Sequence, residues 1–216
     1  MAVADSRGLG GTEVPAEPYA MADLAADAIA LADLLGWDTF NLAGVSFGGM
    51  VAQEVAVTVP KRIMRLVLMC TSSGGAGGSS YPLHELAALE PAARASRMTL
   101  LADSRFTPEW LAENPREMAM LQAMATRPEP TPESQRGQEL QYRARATHDV
   151  FDRLPRITCP TIVAAGRFDG IAPPSNAEAI ASQIPSAEVR LYEGGHGFFV
   201  QDAAALPEIL AFLTTS

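Results

Sequence analysis

Strand-like and helix-like segments alternate along this 216-residue chain, and this alternation constrains its fold more than any other feature. The strand-like runs are strongly apolar and cover residues 39–45, 63–70, 160–165 and 187–192. Helices with one apolar face are predicted at the two ends, over 21–35 and 203–213. The pattern is typical of an α/β fold with a mostly parallel sheet flanked by helices. With residues 2–5 added, we expect about five strands.

Residues 49–59 fit two kinds of secondary structure. Valines at every second position near the end of this segment are typical of a strand. The small side chains of Gly49, Ala52 and Ala56 suit a helix packed closely on a sheet instead. Propensity alone does not decide between the two, but the segment follows a predicted strand, and we therefore predict a helix.

The middle of the chain has a different pattern. Residues 72–80 are rich in glycine and serine and are predicted to form a flexible hinge. The sequence that follows, to about residue 152, is helical in pattern and repeatedly interrupted by proline. We therefore expect a core in two parts, residues 1–72 and 153–216, separated by an inserted helical cap over 73–152.

Composition excludes several classes of protein. Apolar residues make up 48% of the chain and charged residues 19%, which is enough apolar material for a sizeable core. The formal net charge is −9 and no basic cluster is present, so a nucleic-acid partner is not expected. Cys70 and Cys159 lie in apolar runs and are expected to be buried thiols. No leader peptide or membrane span is predicted, and we expect a soluble, cytoplasmic protein.

The segment Gly44-Val45-Ser46-Phe47-Gly48 carries the strongest chemical signal. The string alone is common, but here it joins a predicted strand to a predicted helix, as a nucleophilic serine requires. The sharp turn holds the Ser46 hydroxyl out beyond the sheet, and the flanking glycines let neighbouring elements approach. The helix start also directs the backbone N–H of Phe47 toward a developing oxyanion.

A serine hydroxyl needs a base to remove its proton, and the chain offers three histidines. His84 lies in the predicted cap, and a surface or structural role is expected for His148. His196 follows the last predicted strand and has glycine on both sides, which suits a loop that carries an imidazole to the strand ends. We therefore predict that His196 is the base.

The acid that orients this imidazole is predicted to be Asp169. Asp169 follows the strand over 160–165, whereas Asp152 precedes it and Asp202 opens the closing helix, where a helix-dipole role is available. The nucleophile, acid and base then occur in that order, each after a different strand. The carboxyl ends of strands are where sites form in open α/β sheets.

Together these motifs resemble the α/β-hydrolase superfamily, and in particular its small capped esterases and enol-lactone hydrolases. Asp5-Ser6-Arg7-Gly8-Leu9-Gly10 is similar to the family's Asp-x-Arg-Gly-x-Gly loop, and the triad residues match its nucleophile, acid and base. The resemblance implies a serine hydrolase acting on a small ester or lactone. It implies no organic cofactor, and no set of residues is spaced as metal ligands.

The sequence departs from the family at its front. In the family, roughly 50 residues precede the Asp-x-Arg-Gly loop and include a His-Gly loop that supplies the second oxyanion N–H. Only residues 1–4 precede Asp5 here, and we expect an N-terminally truncated form of the fold. Residues 2–5 and 39–45 then either pair directly or leave exposed strand edges, through which the chain could form a homo-oligomer.

Two hypotheses of different class follow. The first is hydrolysis of a carboxylic ester or lactone through an acyl-enzyme on Ser46. The second is a non-catalytic remnant of the fold that binds a small ligand or self-associates. The complete set of triad residues favours the first hypothesis, and the shortened front favours the second.

Overall fold

The computed structural model describes residues 1–125 and 131–215. Residues 126–130 of the predicted cap and residue 216 of the second core part lie outside the described residues. The strands are β1 (Phe40–Val45), β2 (Ile63–Met69), β3 (Thr161–Gly166) and β4 (Ala187–Tyr192). The α-helices of the described ranges are α1 (Met21–Leu34), α2 (Phe47–Thr58), α3 (Pro91–Ala102), α4 (Pro108–Glu113), α5 (Pro115–Ala125), α6 (Pro132–Ala146), α7 (Pro174–Gln183), α8 (Phe198–Gln201) and α9 (Ala205–Thr214).

The four strands form one parallel sheet in the order β1-β2-β3-β4, which confirms the predicted α/β class. The expected fifth strand is absent from the described residues, because residues 2–5 are not in strand conformation. Asp5 accepts a hydrogen bond from the backbone N–H of Gly11 and belongs to a loop. A strand needs a partner for its backbone groups, and among the described strands β1 pairs only with β2. Residues 2–5 therefore do not pair with β1, and the structure shows the other predicted alternative, an exposed strand edge at β1.

Both faces of the sheet are covered by helices. Alternate side chains of a strand point to opposite faces, so Leu66 and Leu68 of β2 pack with α1, α2 and α7. Val67 and Met69 pack on the other face, with α9 and with Phe198 of α8. The central strands are therefore buried on both sides, which explains their unbroken apolar sequence.

Helix α2 confirms the predicted helix and begins two residues earlier than expected, at Phe47. Val55, Ala56 and Val57 are all fully buried, together with the neighbouring Gln53. A helix that is buried on most of its sides carries buried residues at successive positions and not on one face alone. The alternating valines therefore reflect burial all around α2 and not a strand.

The first part of the glycine-rich run, residues 72–74, is buried and packed against the segment that precedes β3, so the predicted flexible hinge is wrong for these residues. Ser72, Ser73 and Gly74 are buried, and Val150 donates a backbone hydrogen bond to the Ser73 carbonyl. A Cβ on Gly74 would overlap the carbonyl oxygen of His148. The glycine-rich composition suggested a flexible backbone. At Gly74, however, the missing side chain serves to let the backbone approach that of His148 closely.

The segment between β2 and β3 carries helices α3 to α6. Its last helix, α6, buries Leu140 and Ala144 against Tyr19 and Met21 of the N-terminal segment. None of the helices in the described ranges combines the length and the apolar character needed to cross a membrane.

Candidate active site

The carboxyl ends of the four strands lie side by side. Val45 is in register with Met69, Met69 with Ala164, and Gly166 with Tyr192. The loops that follow these strands therefore meet at one edge of the sheet, which is where the three predicted site residues are found.

Ser46 occupies the turn between β1 and α2 in a strained conformation, with φ of 52° and ψ of −115°. A positive φ is uncommon for a residue with a side chain and is retained only where the surroundings enforce it. Here the Ser46 N–H donates to the Met69 carbonyl at 2.8 Å, and the Thr71 hydroxyl donates to the Ser46 carbonyl at 2.8 Å. The N–H of Ser46 is thus held by β2, and its carbonyl is held by the loop that follows β2.

The predicted close approach at the flanking glycines is confirmed for Gly44 and is wrong for Gly48. A Cβ on Gly44 would overlap the Gly48 carbonyl oxygen, and a Cβ on Gly49 would lie 2.6 Å from the Thr71 Cβ. A Cβ on Gly48 would meet no atom within 4 Å. The close approach that the motif requires is therefore made at Gly44 and Gly49, and not at Gly48.

His196 is brought to Ser46 by the loop after β4. Its Nε2 lies 2.9 Å from Ser46 Oγ, and its Nδ1 lies 2.8 Å from Asp169 Oδ2. Its own backbone N–H donates to the Ala102 carbonyl at 2.6 Å. The imidazole is therefore held between a hydroxyl and a carboxylate, at distances suited to proton transfer.

Asp169 is buried, with 4% of its surface exposed, in the loop after β3. Its Oδ1 accepts hydrogen bonds from the backbone N–H groups of Ile171 at 2.8 Å and Ala172 at 2.9 Å. These bonds fix the rotation of the carboxyl group, and Oδ2 then faces His196. Such an arrangement sets which imidazole nitrogen carries the proton.

A network of polar side chains, formed by Gln201, Asp103 and Arg105, supports the loop that carries His196. Gln201 accepts from the Gly195 N–H at 2.8 Å and donates to Asp103 Oδ2 at 2.9 Å. Asp103 is fully buried and is paired in bidentate fashion with Arg105. The Arg105 guanidinium lies 4.0 Å from the ring centre of Phe168, next to the acid. No local sequence pattern points to this network, because the bond that links its two halves joins Asp103 to Gln201, which are 98 residues apart.

Cys70, which follows β2, was not expected near the site. Its sulfur and the side-chain donor atoms of Asp169 and His196 all lie within 4.8 Å of one another. Burial, followed by the charge of Asp169, raises the pKa of the Cys70 thiol, so the thiol stays protonated at neutral pH. A protonated thiol is a poor nucleophile and a poor metal ligand. Both imidazole nitrogens of His196 are already hydrogen-bonded, so the cluster suits proton transfer better than metal binding.

The other histidines and carboxylates lie apart from the triad. His84 and Asp152 are exposed. His148 is buried, so a surface role is excluded for it. Asp202 accepts from the backbone N–H groups of Glu193 and Ala204, and therefore stabilises the turn before α9.

Phe47, the predicted oxyanion donor, is the first residue of α2. The N–H groups in the first turn of a helix have no partner within the helix, so the Phe47 N–H is available beside Ser46. The loop around Gly8, which resembles the family's Asp-x-Arg-Gly-x-Gly loop, contacts α6. A Cβ on Gly137 of that helix would overlap the Gly8 carbonyl oxygen.

Comparison with known proteins identifies the family of the chain. The family described as the alpha/beta hydrolase fold matches residues 2–203. The chain belongs to the α/β-hydrolase family. The matched range includes β1 to β4 and the predicted site residues Ser46, Asp169 and His196.

Several relatives within the α/β-hydrolases are similar to the chain over most of its length. A poly(3-hydroxyalkanoate) depolymerase of Ectopseudomonas oleovorans is 30% identical over 212 residues, which cover 97% of this chain and 73% of that protein. A 3-oxoadipate enol-lactonase of Acinetobacter baylyi is 25% identical, covering 89% of this chain and 70% of the relative. The crystal structure of a hydrolase from Pseudomonas aeruginosa PA01 has a TM-score of 0.74 and 28% identity, covering 98% of this chain and 78% of the other.

Proposed function

We propose that this α/β-hydrolase cleaves a carboxylic ester or lactone through an acyl-enzyme on Ser46. The observation that carries the proposal is the unbroken series of hydrogen bonds from the Ser46 hydroxyl through the His196 imidazole to the Asp169 carboxylate. Each bond is 2.9 Å or shorter, and each residue is held by a different loop at the same sheet edge.

In the first half of the reaction, Ser46 Oγ forms a bond to the carbonyl carbon of the substrate. Its proton passes to His196 Nε2, and the electron pair of the carbonyl moves onto the carbonyl oxygen. Asp169 accepts the hydrogen bond from His196 Nδ1 and stabilises the imidazolium. General base catalysis of this kind contributes about 10²–10⁴-fold in rate.

Collapse of the tetrahedral intermediate restores the carbonyl and breaks the bond to the alcohol oxygen, which takes the proton from His196. In a lactone this alcohol remains tethered to the acyl group. Water then repeats the sequence: it gives a proton to His196, attacks the acyl carbon and displaces Ser46 Oγ, which recovers that proton.

The oxyanion of both intermediates is placed next to the Phe47 N–H at the start of α2. The helix dipole and the free amide of the first turn both favour negative charge there. One such donor contributes about 10²–10³-fold in kcat in other hydrolases.

In this proposal residues 73–152 act as a cap over the site. The backbone supports it: the carbonyl of Ala102, at the end of α3, accepts from His196, and the carbonyl of Leu101 accepts from Gly170. The cap therefore contacts both the acid loop and the histidine loop, and it would determine which small molecule reaches Ser46.

The class of substrate is supported by the relatives, which include a polyester depolymerase and an enol-lactonase. Both names refer to cleavage of an oxygen ester. A serine nucleophile with an imidazole base suits the same bond here.

A fluorophosphonate probe tests the proposal directly, because it phosphonylates only a serine that is activated by a base. We expect stoichiometric labelling of the protein, no labelling of Ser46→Ala, and turnover of 4-nitrophenyl esters or simple lactones that disappears in the same variant. Ser72→Ala, at a buried hydroxyl outside the triad, is the matched control and should keep the label.

Folded protein that resists the probe, and turns over none of these compounds, would support the alternative of a non-catalytic remnant. Circular dichroism of the same samples shows whether the protein is folded.

A further inference from the structure

One short segment at the end of α3, residues 101–105, contacts both of the loops that carry the acid and the base. The Ala102 carbonyl accepts from the backbone N–H of His196 at 2.6 Å, and the Ser104 N–H donates to the Phe168 carbonyl at 2.9 Å. Phe168 directly precedes the acid in the chain. The relative position of the two loops therefore depends on where this segment lies.

The segment also packs closely against the histidine loop. A Cβ on Gly195 would lie 2.0 Å from the Ala102 carbonyl oxygen and 2.6 Å from the Asp103 Cα. Neither backbone has room to move toward the other, and closely packed groups transmit small displacements to their neighbours. A shift of the 101–105 segment would therefore move the residue next to His196.

Arg105 holds the buried carboxylate of this segment. Its guanidinium pairs with Asp103 at 2.7 and 2.9 Å, and its backbone N–H donates to the same carboxylate at 3.0 Å. The Asp103 side chain has no exposed surface. A buried carboxylate that loses its cation is strongly destabilised. The pair therefore keeps Asp103 in the orientation in which it accepts from Gln201 at 2.9 Å.

The same guanidinium contacts two aromatic rings. Its Cζ lies 4.0 Å from the ring centre of Phe168 in the acid loop and 5.1 Å from that of Trp110 in α4. A planar guanidinium is attracted to the face of an aromatic ring, and the attraction is stronger where water is excluded. The Arg105 side chain is 25% exposed, so most of it is shielded from water. One cation thus connects the acid loop, the 101–105 segment and the next helix of the cap.

A bidentate ion pair by itself does not indicate a role at the site. Arg153 forms an equally close pair with the buried Glu54, at 2.6 and 2.8 Å. Arg105 differs in what its partners contact. Asp103 bonds to the side chain that supports the histidine loop, and Phe168 belongs to the acid loop.

We propose that Arg105 is a positioning residue for the triad, and this proposal rests on the proposed function at Ser46. Its guanidinium holds the acid loop through the ring of Phe168 and the histidine loop through Asp103. The relative placement of the acid and the base then depends on a side chain that hydrogen-bonds to neither of them.

The first test is ester hydrolysis by Arg105→Met, which keeps a long side chain but removes the charge and the donors. We expect kcat for a 4-nitrophenyl ester to fall by about ten- to hundred-fold with little change in KM, because the displaced groups act in the transition state. Arg105→Lys keeps the charge but not the planar fork, and should recover only a small part of kcat. Arg167→Met is the surface control on the acid loop. Its guanidinium pairs with the exposed Glu193 at 3.1 Å, and its loss should leave kcat unchanged.

Arg153→Met is the matched control for stability, because it also leaves a buried carboxylate without its cation. Arg105→Met and Arg153→Met should both lower the urea midpoint of unfolding, and only Arg105→Met should lower kcat of the folded enzyme. Equal losses of kcat in the two variants, or a loss of stability alone in Arg105→Met, would overturn the proposal.

A measurement that needs no turnover follows the hydrogen bond from His196 Nδ1 to Asp169. In protein with ¹⁵N-labelled histidine, the proton of such a bond gives a resonance far downfield, which should be lost in Asp169→Ala. We expect Arg105→Met to shift or broaden this resonance and Arg167→Met to leave it unchanged. An unchanged resonance in Arg105→Met would also overturn the proposal. Fluorophosphonate labelling reports on Ser46, so a resonance that depends on Arg105 in an unlabelled protein would mean that the proposed function alone has failed.

Discussion

At the scale of single residues, the site depends on which way the Asp169 carboxyl group is turned. Two backbone N–H groups occupy Oδ1, and this leaves Oδ2 for His196. The carboxylate can only accept a hydrogen bond, so it keeps the proton on Nδ1 and leaves Nε2 free to receive the proton of Ser46. The tautomer of the His196 imidazole thus depends on hydrogen bonds that Asp169 accepts from residues two and three positions along the chain.

Asp169→Asn should lower kcat/KM for an ester by about 10⁴-fold with little change in stability. The amide can still accept from Ile171 and Ala172 through its oxygen, but its NH₂ group then faces His196 and favours the wrong tautomer. Ester hydrolysis and urea unfolding measure the two effects. Asp152→Asn, at an exposed carboxylate, is the control, and an Asp169→Asn enzyme within ten-fold of wild type would contradict the role of Asp169.

At the scale of elements, helix α2 must lie close to the loop after β2 to hold the nucleophile turn. Gly49→Ala places a methyl group 2.6 Å from the Thr71 Cβ, and we expect it to destabilise the protein by about 1–3 kcal/mol. Gly48→Ala meets open space in the same helix and should be neutral or stabilise by up to about 1 kcal/mol. Urea denaturation measures both free energies of unfolding. Equal effects of the two substitutions would contradict the packing described for this turn.

The loop that carries His196 depends on an element outside the triad. Gln201→Ala removes the acceptor of the Gly195 N–H and the donor to buried Asp103, so the loop loses support without losing a triad residue. We expect kcat to fall by about ten-fold while KM changes little, as for loss of a positioned hydrogen bond. Gln183→Ala, at the end of α7, is the control. A purely structural role would lower the unfolding midpoint and leave kcat of the folded enzyme unchanged.

At the scale of the whole molecule, stability is centred on the two inner strands. Strands β2 and β3 have a partner on each side and helices on both faces, whereas β1 pairs only with β2 among the described strands. Hydrogen exchange should therefore be slowest at the paired amides of β2 and β3, near the limit of global unfolding, and faster in β1. Native-state exchange followed by mass spectrometry measures this order. Protection in β1 equal to that in β2 would indicate that its open edge is covered in solution.

The sequence by itself determined the four strands, helices α1, α2 and α9, the helical character of the described part of residues 91–146, and the three side chains that meet beyond the sheet edge. These features depend on local patterns: apolar runs, a glycine-bounded serine between a strand and a helix, and residues that directly follow strands. Helix α1 and strand β4 occur within one residue of their predicted limits. Local patterns are reliable here because burial on both faces of a parallel sheet demands unbroken apolar strands.

Only the tertiary structure decided the remaining features. The packed state of the glycine-rich run, the absence of a strand over residues 2–5, and the Asp103–Gln201 support all depend on partners distant in sequence. The same is true of the cavity lined by Met50, Ser72, Arg145 and His148, whose walls come from three separate segments of the chain. Whether a polar or charged side chain is satisfied depends on what lies opposite it in space, and a linear pattern carries no record of that neighbour.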